Sequence, residues 1–143
     1  MSNSIRYRIS AAIVAALRAA PDLAEAKVLD NPSDASALQA GERLVLLEDQ
    51  SDRFIDQKNQ QGKRRFVFTL GAINRSADDR AGADADYQAA EAALRGAHKL
   101  LMSTLGCGPL QEEEVTFRVE GIDVGGALVL GTFAVEYLKP RPA

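Results

Sequence analysis

Lys63-Arg64-Arg65 is the one basic cluster in the chain, at the start of an apolar, alternating segment. Three cations so placed can hold phosphate or pair with an acidic neighbouring strand, and the second use is the commoner. His98 is the only histidine, which excludes a two-histidine metal site. On the flank of an apolar helical stripe it reads as a surface or rim residue. Cys107 lies in Gly106-Cys107-Gly108-Pro109, a turn that could expose a thiol, but Glu112, Glu113 and Glu114 follow closely and would raise its pKa. A structural cysteine is the better reading. The acidic groups Glu48-Asp49 with Asp52, Asp78-Asp79, and Glu112-Glu113-Glu114 lack the spacing of a calcium loop and read as solvated charge. Gly121 and Gly125-Gly126 join two strand-like segments and precede no helix, so they suit a tight turn and not a phosphate cradle. No residue set points to catalysis, a cofactor or a metal.

Something must position these residues, and composition bounds what it is. The chain has 143 residues, enough for one domain (1–143, with an ordered core of about 4–139), and is 46% hydrophobic and 26% charged. A net charge of -3 argues against a domain built to grip nucleic acid. Arg6 and Arg8 interrupt the first apolar stretch, so no secretory core is expected there, and no apolar run reaches the roughly 20 residues of a membrane span. A single cysteine permits no internal disulfide and suits a reducing compartment.

Ser4 is a plausible N-cap for a first helix with Ile5, Ile9, Ile13 and Leu17 on one stripe, stopped by Pro21. The small residues Ala11, Ala12, Ala15, Ala16, Ala19 and Ala20 suit close packing against a sheet. A short strand at Lys27 to Leu29, a turn over 30–34 and a strand over Arg43 to Glu48 come next. Asp49 to Gly62 reads as a continuing edge strand entering a mobile loop at Gln57 to Gly62. Lys63 to Ile73 is a long strand, with Phe66, Phe68 and Leu70 opposite Arg65, Val67 and Thr69. After a loop over Asn74 to Gly82, Tyr87, Ala90, Leu94, Ala97, Leu101 and Leu105 stripe a long helix of about Ala83 to Leu105. Asp84 and Asp86 fall in its first turn and Gly106 ends it.

The last segment is the most telling. Ala127, Val129, Gly131, Phe133, Val135 and Tyr137 form one face of a long strand, and Leu128, Leu130, Thr132, Ala134, Glu136 and Leu138 form the other. A strand apolar on both sides wants a helix on one face and something else, such as another subunit, on the other. With Val115, Phe117 and Val119 before it, this makes a C-terminal β-hairpin. Helix, strands, helix, hairpin predicts an α+β fold: a mostly antiparallel sheet of about five strands with two helices packed on it.

Taken whole, the chain resembles a family. The opening helix ending in Ala20-Pro21, the short strand before Asn31-Pro32, Leu44-Val45-Leu46-Leu47-Glu48, Arg65-Phe66-Val67-Phe68, the Ala-rich helix and the closing strand from Gly126-Ala127-Leu128-Val129-Leu130 to Glu136-Tyr137 look like the tail terminator (minor tail or tail completion) proteins of long-tailed bacteriophages and prophages. The resemblance covers about residues 4–139. It implies a structural virion protein of the tail, made in the host cytoplasm, that assembles as a homo-hexameric ring on the last ring of tail-tube protein. Such a ring stops tube polymerisation and offers the surface that a head–tail connector joins, while DNA passes through without specific binding. On that reading Arg53, Phe54 and Ile55 at the edge and Lys63, Arg64 and Arg65 at the strand start contribute to subunit or tube contacts, and both arginines of the cluster lie near a strand end outside the core. Two other readings stand beside it. One is a small ligand-binding domain or enzyme with a pocket between sheet and long helix near Tyr87, His98 and Cys107; the other is a different head–tail adaptor.

Overall fold

A computed structural model of the protein describes residues 4–31, 43–58, 61–74, 79–119 and 127–140. In chain order the elements are α1 (Ile5–Ala19), a 3-10 turn (Pro21–Leu23), β1 (Lys27–Asp30), β2 (Arg43–Lys58), β3 (Gln61–Asn74), α2 (Asp79–Leu105), β4 (Gln111–Val119) and β5 (Ala127–Pro140). The fold is α+β. Its five strands form one sheet in the order β1-β2-β3-β5-β4, antiparallel throughout except for the β1–β2 pair.

Local chemistry sets the elements. The Ser4 hydroxyl accepts from the Tyr7 amide at 3.2 Å and starts α1, and the Ala20 amide, donating to the Leu17 carbonyl, closes it. Gly106, at φ 66°, takes the left-handed conformation that ends α2. Asn31, at φ 51°, turns the chain after β1, and its side chain accepts from the Asp49 amide at 2.5 Å.

Both helices lie on one face of the sheet. Ile9, Ile13 and Leu17 of α1 and Ala83, Tyr87, Ala90, Leu94 and Leu101 of α2 share a core with Val45, Leu47, Phe66, Phe68, Leu70, Val129, Phe133 and Val135. The stripe expected on the long helix is therefore the one it buries. The alanines of α1 divide: Ala12 and Ala20 pack against the core, while Ala15 and Ala19 face outward, so the small stripe as a whole does not seat on the sheet. The opposite face carries a second, smaller cluster of Leu44, Leu46 and Ile73 with Leu29 and Leu128, to which no described helix contributes. The closing strand is two-sided, with Phe133 and Val129 under the helices and Leu128 and Leu130 on the far side.

Three boundaries differ from expectation. β2 and β3 pair as far as Gln57 with Gly62 and Lys58 with Gln61, so the anticipated loop over 57–62 is strand at those positions, and only residues 59–60 lie outside the described residues. Ladder hydrogen bonds compensate for the missing apolar anchors there. β4 starts at Gln111, so the glutamate run belongs to a strand. The long helix starts at Asp79 and not near Ala83, so Asp84 and Asp86 fall beyond its first turn. Asp86 is buried and holds the sheet: the Arg43 guanidinium donates through Nε at 3.0 Å and Nη2 at 2.6 Å, and Asn74 donates at 3.4 Å. That bond to Asp86 keeps the Arg43 pKa above its ordinary value. The turn over 121–126 and most of that over 30–34 lie outside the described residues.

Phe133 is fully buried and stacks on Phe68 at 5.9 Å between ring centroids. Phe133→Ala is expected to cost about 3–5 kcal/mol through lost burial and a residual cavity. Urea unfolding checks this, and a loss below about 1 kcal/mol would mean the site collapses around the smaller side chain or was never packed.

Candidate assembly interface

β1 covers the edge of β2 only from Leu44 to Leu47. Beyond it β2 continues as a sheet edge alongside β3, which is paired on its other side with β5. Two register shifts interrupt the edge, between Asp49 and Ser51 and between Phe54 and Asp56. Each inserts one residue and swaps which side chains point to which face. After the first, Asp52 stands opposite Phe66 and turns toward the helices.

Asp52 is the centre of this region. Its carboxylate receives Arg64 Nε at 3.0 Å, Arg6 Nη1 at 3.2 Å and the Tyr137 hydroxyl, and its backbone carbonyl receives Arg64 Nη2 at 2.9 Å. The Asp52 side chain is only 5% exposed, so these bonds replace the water it has lost. Burial alone would raise its pKa, but the bonds from Tyr137, Arg64 and Arg6 together hold it below the usual carboxylate value. Burial and the bond to Asp52 both push the Tyr137 phenol up. Asp49 is the opposite case: burial raises its pKa despite bonds with Ser10 (Oγ to Oδ1, 3.1 Å) and Asn31. The Asp52 carboxylate is not solvated charge, contrary to the expectation for this acidic group, whereas Asp49 stays exposed to solvent.

On the face away from the helices, Lys63 Nζ lies 3.1 Å from Glu136, and Arg65 lies 3.5 Å from Glu136, 2.6 Å from Gln111 Oε1 and against Glu113. The basic cluster thus pairs with acidic neighbours on both faces, Arg64 inward and Lys63 and Arg65 outward. Arg64 and Arg65 are mostly buried ties between strands, not free ends outside the core. Reversing either would set like charges together, at Asp52 or at Glu113 and Glu136.

The six candidate residues therefore divide. Lys63, Arg64 and Arg65 brace the arm formed by β2, β3 and β5. Arg53, Phe54 and Ile55 stand exposed on its edge, Phe54 at 54% and Ile55 at 37%. The sheet's other edge, β4, carries Phe117 at 70% exposure and exposed Glu112 and Glu114. Sequence alternation passes over Asp52 because the bulge before it is invisible to a period of two; an acid flanked by Arg64 and Arg6 at no regular spacing is the only trace.

The region around Tyr87, His98 and Cys107 is packed and not a cleft. His98 is buried, with Nε2 2.7 Å from the Gly108 carbonyl, so Nε2 carries the proton it donates. It is a tether for the chain leaving α2, not a rim residue. Cys107 is buried too, and burial pushes its thiol pKa up. The Tyr87 hydroxyl is buried without a hydrogen-bond partner and lies where a Gly131 Cβ would stand. Among the described residues no group of histidine, cysteine, aspartate or glutamate is arranged to hold a metal ion, and no helix is long and apolar enough to cross a membrane. Compared with models of known protein families and with curated proteins, the chain matches none.

Two predictions come from these contacts. Asp52 has a lowered folded pKa, so its contribution is full above its unfolded value near 4 and is lost as pH falls through the folded value. Asp49, raised, works in the opposite sense: its contribution is full below its unfolded value and declines as pH rises through the folded one. Asp52→Asn should cost about 2–3 kcal/mol at pH 7 and flatten the loss of stability below about pH 4, measured by urea midpoints across pH. An unchanged acid limb would show that Asp52 is not the group responsible. Tyr87→Phe should stabilise by about 1 kcal/mol by removing an unpaired buried hydroxyl. Gly131→Ala should cost about 1–3 kcal/mol, only part of it recovered in the double variant, because the Phe133 ring also stands 3.0 Å from the added methyl. Thermal melts of the three variants test this, and a destabilised Tyr87→Phe would mean the hydroxyl has a partner.

Proposed function

We propose that the protein is a ring-forming structural subunit that ends the tail tube of a long-tailed phage or prophage and presents the surface to which the head joins. The observation that carries this reading is the open edge of β2 beyond β1, with Phe54 and Ile55 exposed and Arg53 beside them. Exposed apolar groups at a strand edge that no other described strand pairs are the kind of surface that another chain covers. The order of elements, from the amphipathic opening helix to the two-sided closing strand, adds the resemblance to tail terminators. A net charge of -3 suits a ring through which DNA slides, since a basic lumen would hold phosphates by counterion release. The partners are further copies of the chain in a hexamer, the tail-tube protein below and a connector protein above, and the protein works in the virion with no catalytic step. The enzyme alternative has less support, because Tyr87, His98 and Cys107 are spent on packing and tethering.

Phe54→Lys with Ile55→Lys should leave the circular dichroism spectrum unchanged, since both side chains already meet solvent, and should abolish ring formation. In a tail-assembly complementation assay the double variant should give overlong tubes that do not join heads. Tails of normal length joined to heads would remove this edge from the function.

A further inference from the structure

We propose that neighbouring copies join head to tail by sheet extension, the β2 edge of one chain pairing antiparallel with the β4 edge of the next. This rests on the ring reading and names the surfaces that close the ring. Among the described residues, the open edges of the sheet are β1 with β2 beyond Leu47 on one side and β4 on the other. Three antiparallel steps separate them, β2 to β3, β3 to β5 and β5 to β4, so the two edges run antiparallel to each other. A copy added in the same orientation therefore brings β4 against β2 in antiparallel sense. The contact is heterologous, which is the kind that generates rings.

The pairing sets a definite register on both faces. Between its two bulges, β2 has one regular run, Ser51 to Phe54, and β4 is regular from Glu114 onward. Phe54 stands opposite Arg64, on the helix-bearing face that also receives Phe117 through its pairing with Val129. Arg53 stands opposite Arg65, on the other face, which also holds Glu114 through its pairing with Thr132. If Phe54 is set against Val115 of the neighbour, Arg53 falls against Thr116. Phe117 is then one diagonal step from Phe54, and Glu114 one diagonal step from Arg53, both within reach of long side chains. In this register aromatic neighbours aromatic on one face, and on the other Glu114 and Arg118 take the two diagonal positions beside Arg53.

Charge reversal tests the pairing. Arg53→Glu and Glu114→Lys should each keep the fold by circular dichroism and each raise the concentration needed for half-assembly about tenfold or more, read by sedimentation of the protein alone. A heterologous contact makes a further demand: the two single variants mixed in equal amounts, and the double variant by itself, should both assemble again. In the mixture the two kinds of chain alternate. At one junction the glutamate introduced by Arg53→Glu meets the lysine introduced by Glu114→Lys, and at the next the unchanged Arg53 meets the unchanged Glu114. Wild-type rings together with unrescued variants, or variants that assemble like wild type, would overturn the pairing and leave the ring reading standing. A wild-type chain that stays monomeric at every concentration would overturn both.

Discussion

A buried carboxylate that is kept ionised must be surrounded by donors, and the arm of this protein is organised around one. Asp52 sits on β2, receives Arg6 from α1, Arg64 from β3 and the Tyr137 hydroxyl from β5, and so ties four elements through one group. Taking that charge out of water would cost several kcal/mol if any donor were misplaced. The positions of α1 and the three strands are therefore mutually constrained at this point. The constraint reaches the surface as well. The bulge that turns Asp52 inward resets the parity of the strand, and it is this reset that puts Phe54 on the helix side of the edge and Arg53 on the other.

The apolar pattern and the charge pattern are legible in the sequence to different degrees. Helix periodicity in Ile9, Ile13 and Leu17, the stripe from Tyr87 to Leu101 and the alternation of Phe66, Phe68 and Leu70 all mark groups that the fold buries, because hydrophobic burial acts through period and period is local. The two-sided closing strand is readable for the same reason. Electrostatic pairing is not, since Asp52 and Tyr137 are 85 residues apart and meet only through the strand order. The basic cluster is readable as pairing with acidic strands, but not as splitting between two faces. His98 and Cys107 read as more exposed than they are because the segment after Gly106 looks like a free turn. The Gly108 amide, donating to the Glu136 carbonyl at 2.8 Å, and the His98 ring hold it against the sheet.

Satisfying the strong charges internally changes what the surface can recognise. Arg64 and Arg65 are the long, forked side chains best suited to carboxylates across an interface, yet both already have carboxylate partners within the chain. A partner that tried to take them would first have to break those pairs and leave Asp52 or Glu113 uncompensated. Among the described side chains, the edges still offer Phe54, Ile55, Phe117, Arg53, Glu112 and Glu114 beside their backbone groups. Those are the ingredients of strand addition, in which main-chain hydrogen bonds provide attraction and a few side chains fix the register.

The two bulges in β2 also bear on how such an edge avoids uncontrolled association. A long, flat edge would pair with any exposed strand, whereas interruptions at Gln50 and Ile55 leave only a four-residue regular run between them. A run that short supplies too few hydrogen bonds to hold a partner on backbone contacts alone. In the proposed ring, pairing would depend on the side chains that flank it, which would make the contact selective, and on closure, which would let each weak junction be reinforced by the others. The same bulges bend the strand that carries them, and an edge that curves favours a closed assembly over an endless flat one.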